Sequence, residues 1–178
     1  MSKVKLENIQ PISRGFLKHG TFIVLLHTDK IPPHLALICN GRYYSLTSDE
    51  NQVGISLNGI WRAAVSKAIQ TLFIEVDSEC SETLLDELFS KYDHAIPGKL
   101  TCLQPLKEYF NEHHLLPIHD VDFVFHLINR LEEYNMLGRT FQLNMEEALS
   151  NDSFTLLEYT LDDIYSRIAS LQKEPANA

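Results

Sequence analysis

Three side chains of this 178-residue chain are of the types that acyl-transfer chemistry uses: Cys102, His34 and Ser45. A thiol with an ordinary pKa of about 8.5 is only a few per cent thiolate at neutral pH. It therefore gains from a neighbouring base and from the positive end of a helix. Cys102 lies in GKLTCLQPLKEYF, where Thr101 has the type of a helix N-cap and Gln104 follows at capping-box spacing. This pattern predicts a helix over about 101–111 with Cys102 in its first turn. His34 is the candidate base that takes the thiol proton, and Ser45 the polar group that orients its imidazole. A backbone N–H at Cys102 or a neighbour would stabilise the oxyanion formed on an attacked carbonyl. Such a site transfers an acyl group from an amide, ester or thioester to water or another acceptor. It needs neither cofactor nor metal, and none is expected.

His34 and Ser45 must be held together by the stretch 31–47, IPPHLALICNGRYYSLT. Leu35 to Cys39 is a short apolar run, and Asn40-Gly41 readily supplies the positive φ angles of a tight hairpin. Tyr43 to Leu46 returns as a second strand. His34 lies six residues before Asn40 and Ser45 four after Gly41, so both belong near one end of the ribbon. Before it, residues 1–18 read as an irregular or partly paired lead-in and 21–27 (TFIVLLH) as a buried strand. After it, the polar, glycine-bearing residues 48–59 read as a loop able to lie over a site. Helical spacing of Trp61, Ala64, Val65, Ala68 and Ile69 predicts a helix over 60–70, and TLFIEV at 71–76 a strand. Leu84, Leu85, Leu88 and Phe89 form one face of a further helix ending near Tyr92.

The segment GTFIVLLHTDKIPPHLALICNGRYYSL resembles the strand, loop, His-bearing strand, glycine turn and returning strand of circularly permuted papain-like proteins. That group includes NlpC-like amidases and lecithin:retinol acyltransferase-like enzymes. The stretch SETLLDELFSKYDHAIPGKLTCLQPLKEYF is similar to their helix, glycine-bearing loop and Cys-starting helix, and the likeness runs from about Gly20 to Phe110. In permuted members the histidine ribbon precedes the cysteine helix, as His34 precedes Cys102 here. The resemblance implies a Cys102 nucleophile, a His34 base and an orienting group at Ser45, where relatives carry His or another polar residue. Thr101 stands where many relatives have Asn. The implied fold is α+β, a small antiparallel sheet packed on helices, over residues 1–112.

Residues 113–178 read as a mainly helical C-terminal subdomain. Val121, Val124, Leu127, Ile128 and Leu131 make a core-facing stripe with Gly138 as a C-cap. Thr140 to Leu143 is a short strand, and Asn144 with Glu147 a cap before a brief helix. Leu156, Leu157, Leu161, Ile164, Ile168 and Leu171 outline a final long helix, with a frayed tail after Lys173. His113, His114, His119 and Asp120 have no standard metal-ligand spacing. Tyr43 and Tyr44 are candidates for lining a cleft. Cys39 and Cys80 read as structural, and three irregularly placed cysteines as free thiols.

Composition bounds the partners. An apolar fraction of 44%, a charged fraction of 22% and a net charge of -9 describe a globular chain without the clustered Lys and Arg that nucleic acid requires. No apolar run is long enough to span a bilayer, and the N-terminal MSKVKLENIQPISRG lacks a secretory h-region, so a cytoplasmic protein is expected. Its partner would be a small-molecule, peptide or acyl substrate, with a homodimer as a further expectation. The competing reading is a catalytically inactive papain-like module that binds a peptide, lipid or protein in the same groove.

Overall fold

The computed structural model describes residues 3–173. Nine strands and five helices follow in chain order among these residues. They are β1 (Lys5–Leu6), β2 (Gln10–Pro11), β3 (Thr21–Leu26), β4 (His34–Cys39), β5 (Arg42–Leu46), β6 (Asn51–Ser56), α1 (Leu57–Ser66), β7 (Thr71–Val76), α2 (Glu82–Ser90), α3 (Gln104–His114), α4 (Val124–Glu133), β8 (Leu137–Leu143), β9 (Phe154–Thr155) and α5 (Leu161–Lys173). The α+β class holds. Seven strands form one sheet in the order β2-β8-β7-β3-β4-β5-β6, antiparallel except for the parallel β2–β8 pair, while β1 pairs with β9 alone.

β3 and β4 are central and buried on both faces, which is why both read as continuous apolar runs. Alternation along each strand splits the interior into two layers. Leu35, Leu37, Cys39 and Tyr44 face α2, α3 and α4. Ala36, Ile38 and Tyr43 face the opposite layer, with Leu57 of α1 and Leu17 of a 3-10 turn at Arg14–Lys18. Asn40 at φ 49° and Gly41 at φ 79° make the hairpin turn that the dipeptide predicts.

Several sequence expectations need correction. Residues 51–56 are not a loop but an edge strand, polar because one side of β6 meets solvent. Gly138 does not cap α4. Asn135, at φ 55°, closes that helix, and Gly138 lies in β8, where a Cβ would come within 3.2 Å of the Glu75 side chain. Asn144 caps no helix, and residues 145–149 form only turns. α5 begins at Leu161 behind Thr160, which exchanges hydrogen bonds with Asp163. The expectation about the tail beyond Lys173 lies outside the described residues. Cys39 and Cys80 are not free thiols. They are joined, with Cα atoms 5.8 Å apart, a span that suits a disulfide. Residues after 113 supply β8 to the sheet and α4 to the shared core. No helix among the described residues is long and apolar enough to cross a membrane.

Candidate active site

His34 opens β4 and pairs with Leu26 at the end of β3. Ser45 lies opposite Ala36 on β5, so His34 and Ser45 are diagonal neighbours on one face. His34 Nε2 and Ser45 Oγ share a hydrogen bond of 2.5 Å. Ser45 is fully buried, which leaves the imidazole as its natural partner. Burial holds the His34 pKa down to about 4, and the neighbouring His27 pushes the same way. The ring is therefore neutral at pH 7, and the same burial opposes its taking up a proton. Nδ1 is a proton acceptor only in the tautomer in which Nε2–H donates to Ser45 Oγ.

Tyr43 stands two residues before Ser45 on the same face and is buried. Burial pushes its phenol far up, and contact with Ser45 only partly offsets the effect. Tyr44 is buried in the other layer, with its hydroxyl donating to Asp86 at 2.9 Å. Tyr43 borders a small cavity with Ile38, Leu57 and Trp61.

Cys102 is the free cysteine. It lies in the turn before α3 and not inside the helix. The capping box does not form, since Gln104 donates its side chain to Glu108 while Thr101 Oγ1 accepts from the Leu103 N–H at 3.3 Å. Cys102 is half-buried and packs on the layer that holds Leu35 and Leu37. Its sulfur is densely surrounded, and burial pushes the thiol up. The backbone N–H groups of Leu35 and of Cys102 itself pull the other way. The cysteine thus rests as a thiol, contrary to the depressed pKa that a first-turn position predicts.

The fold brings His34 and Ser45 into contact, and it brings Cys102 to the backbone of Leu35, the residue after His34. It does not join the two reactive groups. Among the described residues no hydrogen bond links His34 to Cys102, and strand alternation aims the imidazole toward the α1 layer while Cys102 packs on the other.

Two further residues belong to this neighbourhood. His27 ends β3 in the left-handed region, at φ 57°, and burial lowers its pKa. The terminal histidine of TFIVLLH was the available signal. Tyr159 packs against Phe123 and Phe125, and its phenol is pushed up by burial first and by proximity to Cys102 second. Its place 57 positions beyond Cys102 gave no local signal. His113 is engaged elsewhere, donating from Nε2 to the Glu79 carbonyl, and Asp120 pairs with Arg130. Compared with known proteins, the chain matches no family model, no curated protein and no solved structure.

Proposed function

We propose that the chain is a cysteine-dependent hydrolase or acyltransferase acting on an amide, ester or thioester, built on a permuted papain-like arrangement. The observation that carries this reading is the 2.5 Å hydrogen bond between His34 Nε2 and Ser45 Oγ. It holds the imidazole at the strand end beside which Cys102 lies, and the base role belongs to the tautomer in which Nε2–H donates to Ser45 Oγ. The reaction requires the 101–103 turn to carry the sulfur round the end of β4 to the His34 ring when substrate binds. Cys102 Sγ then attacks the carbonyl carbon as its proton passes to Nδ1. The N–H groups of Leu35 and Cys102 face the oxyanion. Collapse breaks the bond to the leaving group, which takes the proton from His34, and water or another acceptor resolves the thioester.

The inactive-module reading is favoured by the raised Cys102 pKa and by the missing Cys–His hydrogen bond. Alkylation of Cys102 across pH 6 to 10, in the wild type and in His34→Ala, separates the two. The hydrolase reading expects at least tenfold slower labelling in His34→Ala. Identical labelling without His34 sinks the dyad and leaves the binding module. The cytoplasmic location carries over as part of this proposal. The Cys39–Cys80 pair weighs against it, because cytosolic thiols are kept reduced.

A further inference from the structure

The Cys39–Cys80 pair sits between the elements that carry the two halves of the candidate site. β4 bears His34 at its start and Cys39 at its end, and Cys102 lies in the turn that leads into α3. Residues 79–81, just before α2, are bonded to both. Cys80 is joined to Cys39. On the other side the Ser81 N–H donates to the Tyr109 hydroxyl at 3.2 Å, and His113 Nε2 donates to the Glu79 carbonyl at 3.0 Å. Tyr109 and His113 belong to α3 and stack on each other, with ring centroids 5.2 Å apart. This short segment therefore ties the strand of the base to the helix of the nucleophile, covalently at one end and by two hydrogen bonds at the other.

The two sulfurs differ in access. Cys39 is fully buried, while Cys80 is half-buried, so a thiol reagent reaches the pair at Cys80. Opening the bond does not remove the other ties of α2 to the hairpin. Arg42 holds Glu82 at 2.9 Å and Asp86 at 3.2 Å, and Asn40 Nδ2 donates to Glu82 at 3.3 Å. What is released is the covalent tie of residues 79–81 to β4. Disulfides of cytosolic proteins are mostly transient, catalytic or redox-sensing, and a redox-sensing role reconciles this pair with the location proposed above.

We propose that Cys39–Cys80 is a redox lock on the Cys102 centre, an inference that rests on the hydrolase reading above. The closed bond holds α3 against β4 in the resting arrangement, with His34 and Cys102 on opposite faces. Reduction frees α3 to shift and the 101–103 turn to carry the sulfur to the ring. The reductant is a dithiol. One of its thiolates attacks Cys80 Sγ, the Sγ–Sγ bond breaks, and Cys39 leaves as a thiolate that takes up a proton. The second thiol, as its thiolate, then displaces Cys80 from the mixed disulfide. Two electrons and two protons pass from the dithiol, which becomes a disulfide, to the pair, which becomes two thiols.

The test is iodoacetamide labelling of Cys102, located by peptide mass, in the native protein and after reduction with dithiothreitol and anaerobic desalting. Labelling of Cys80 reports that the bond has opened. Reduction is expected to speed Cys102 labelling by about tenfold or more in the wild type and to leave His34→Ala nearly unchanged. Tyr109→Phe removes the acceptor of the Ser81 N–H while the bond stays closed, and moves the rate in the same direction. Where Trp61 fluorescence shows that the reduced chain does not stay folded, that variant carries the test. Unchanged Cys102 labelling after reduction overturns the lock, and the dyad still stands if His34→Ala slows labelling of the native protein. Equal gains in the wild type and in His34→Ala mean that the turn has simply unfolded, and overturn the lock as well. Identical labelling of the two proteins in both redox states sinks the hydrolase reading and the lock with it.

Discussion

His34 couples the candidate chemistry to the stability of the fold. Its ordinary pKa near 6.5 falls to about 4 because burial disfavours the charged ring. Between those values the unfolded chain binds a proton that the native chain does not, so stability rises with pH there. The contribution is fully present above about 6.5, is lost as pH falls toward 4, and is flat below. The shift amounts to roughly 3 kcal/mol. His34→Gln keeps a polar partner for Ser45 and removes the titration, so the loss of stability between pH 7 and pH 4 should shrink by about that amount. Urea unfolding followed by Trp61 fluorescence at the two pH values measures it. An unchanged difference would mean that the ring is already solvated. Residual slope belongs to His27 and His114, which burial also holds low, and near pH 4 to Glu7, Glu75 and Asp120, held low by Lys5, Arg139 and Arg130.

Elements, more than single residues, decide what the sequence makes readable. β3, β4, β5 and β7 were legible because apolar runs and an Asn-Gly turn announce themselves locally, and the pairing of His34 with Ser45 follows from counting along that hairpin. β6 was not. Asn51, Gln52 and Gly54 have loop composition, and only the exposed edge of β5 makes a strand of them. Asn144 was misread for a related reason, since its partners lie far away in the chain. Its Nδ2 donates to the carbonyls of Ala64 and Ile69 at 3.0 Å each, tying the end of β8 to the end of α1. Asn144→Ala leaves both carbonyls without that donor and places alanine at φ 61°. We expect a loss of about 1 to 3 kcal/mol in chemical denaturation, against near-neutrality if Asn144 were a solvent-facing cap. The Cys102 turn was half legible. Helix α3 was foreseen, but its start three residues late and the burial of the sulfur come from packing against β4, which no local pattern encodes.

Across the whole molecule, the Cys39–Cys80 link closes a loop of sequence separation 41 between the centre of the sheet and the entry to α2. In the chain-entropy picture such a loop contributes about 4 kcal/mol. Cys80→Ser, or reduction of the native protein, should lower Tm by about 10 °C for a chain of this size. Calorimetry with and without a reductant reads this directly, and an unchanged Tm would show that the two thiols do not pair in solution. The order of the sheet has a different kind of consequence. The outer edge of β7 is covered only by β8, and β7 ends at Val76 while β8 begins at Leu137, 61 positions later. At 5 to 20 residues per second, a ribosome needs roughly 3 to 12 s to supply the missing strand. During that interval the nascent chain offers a bare, apolar β7 edge to its surroundings, so chaperone contact during translation should concentrate on Thr71–Val76 and end once β8 has emerged.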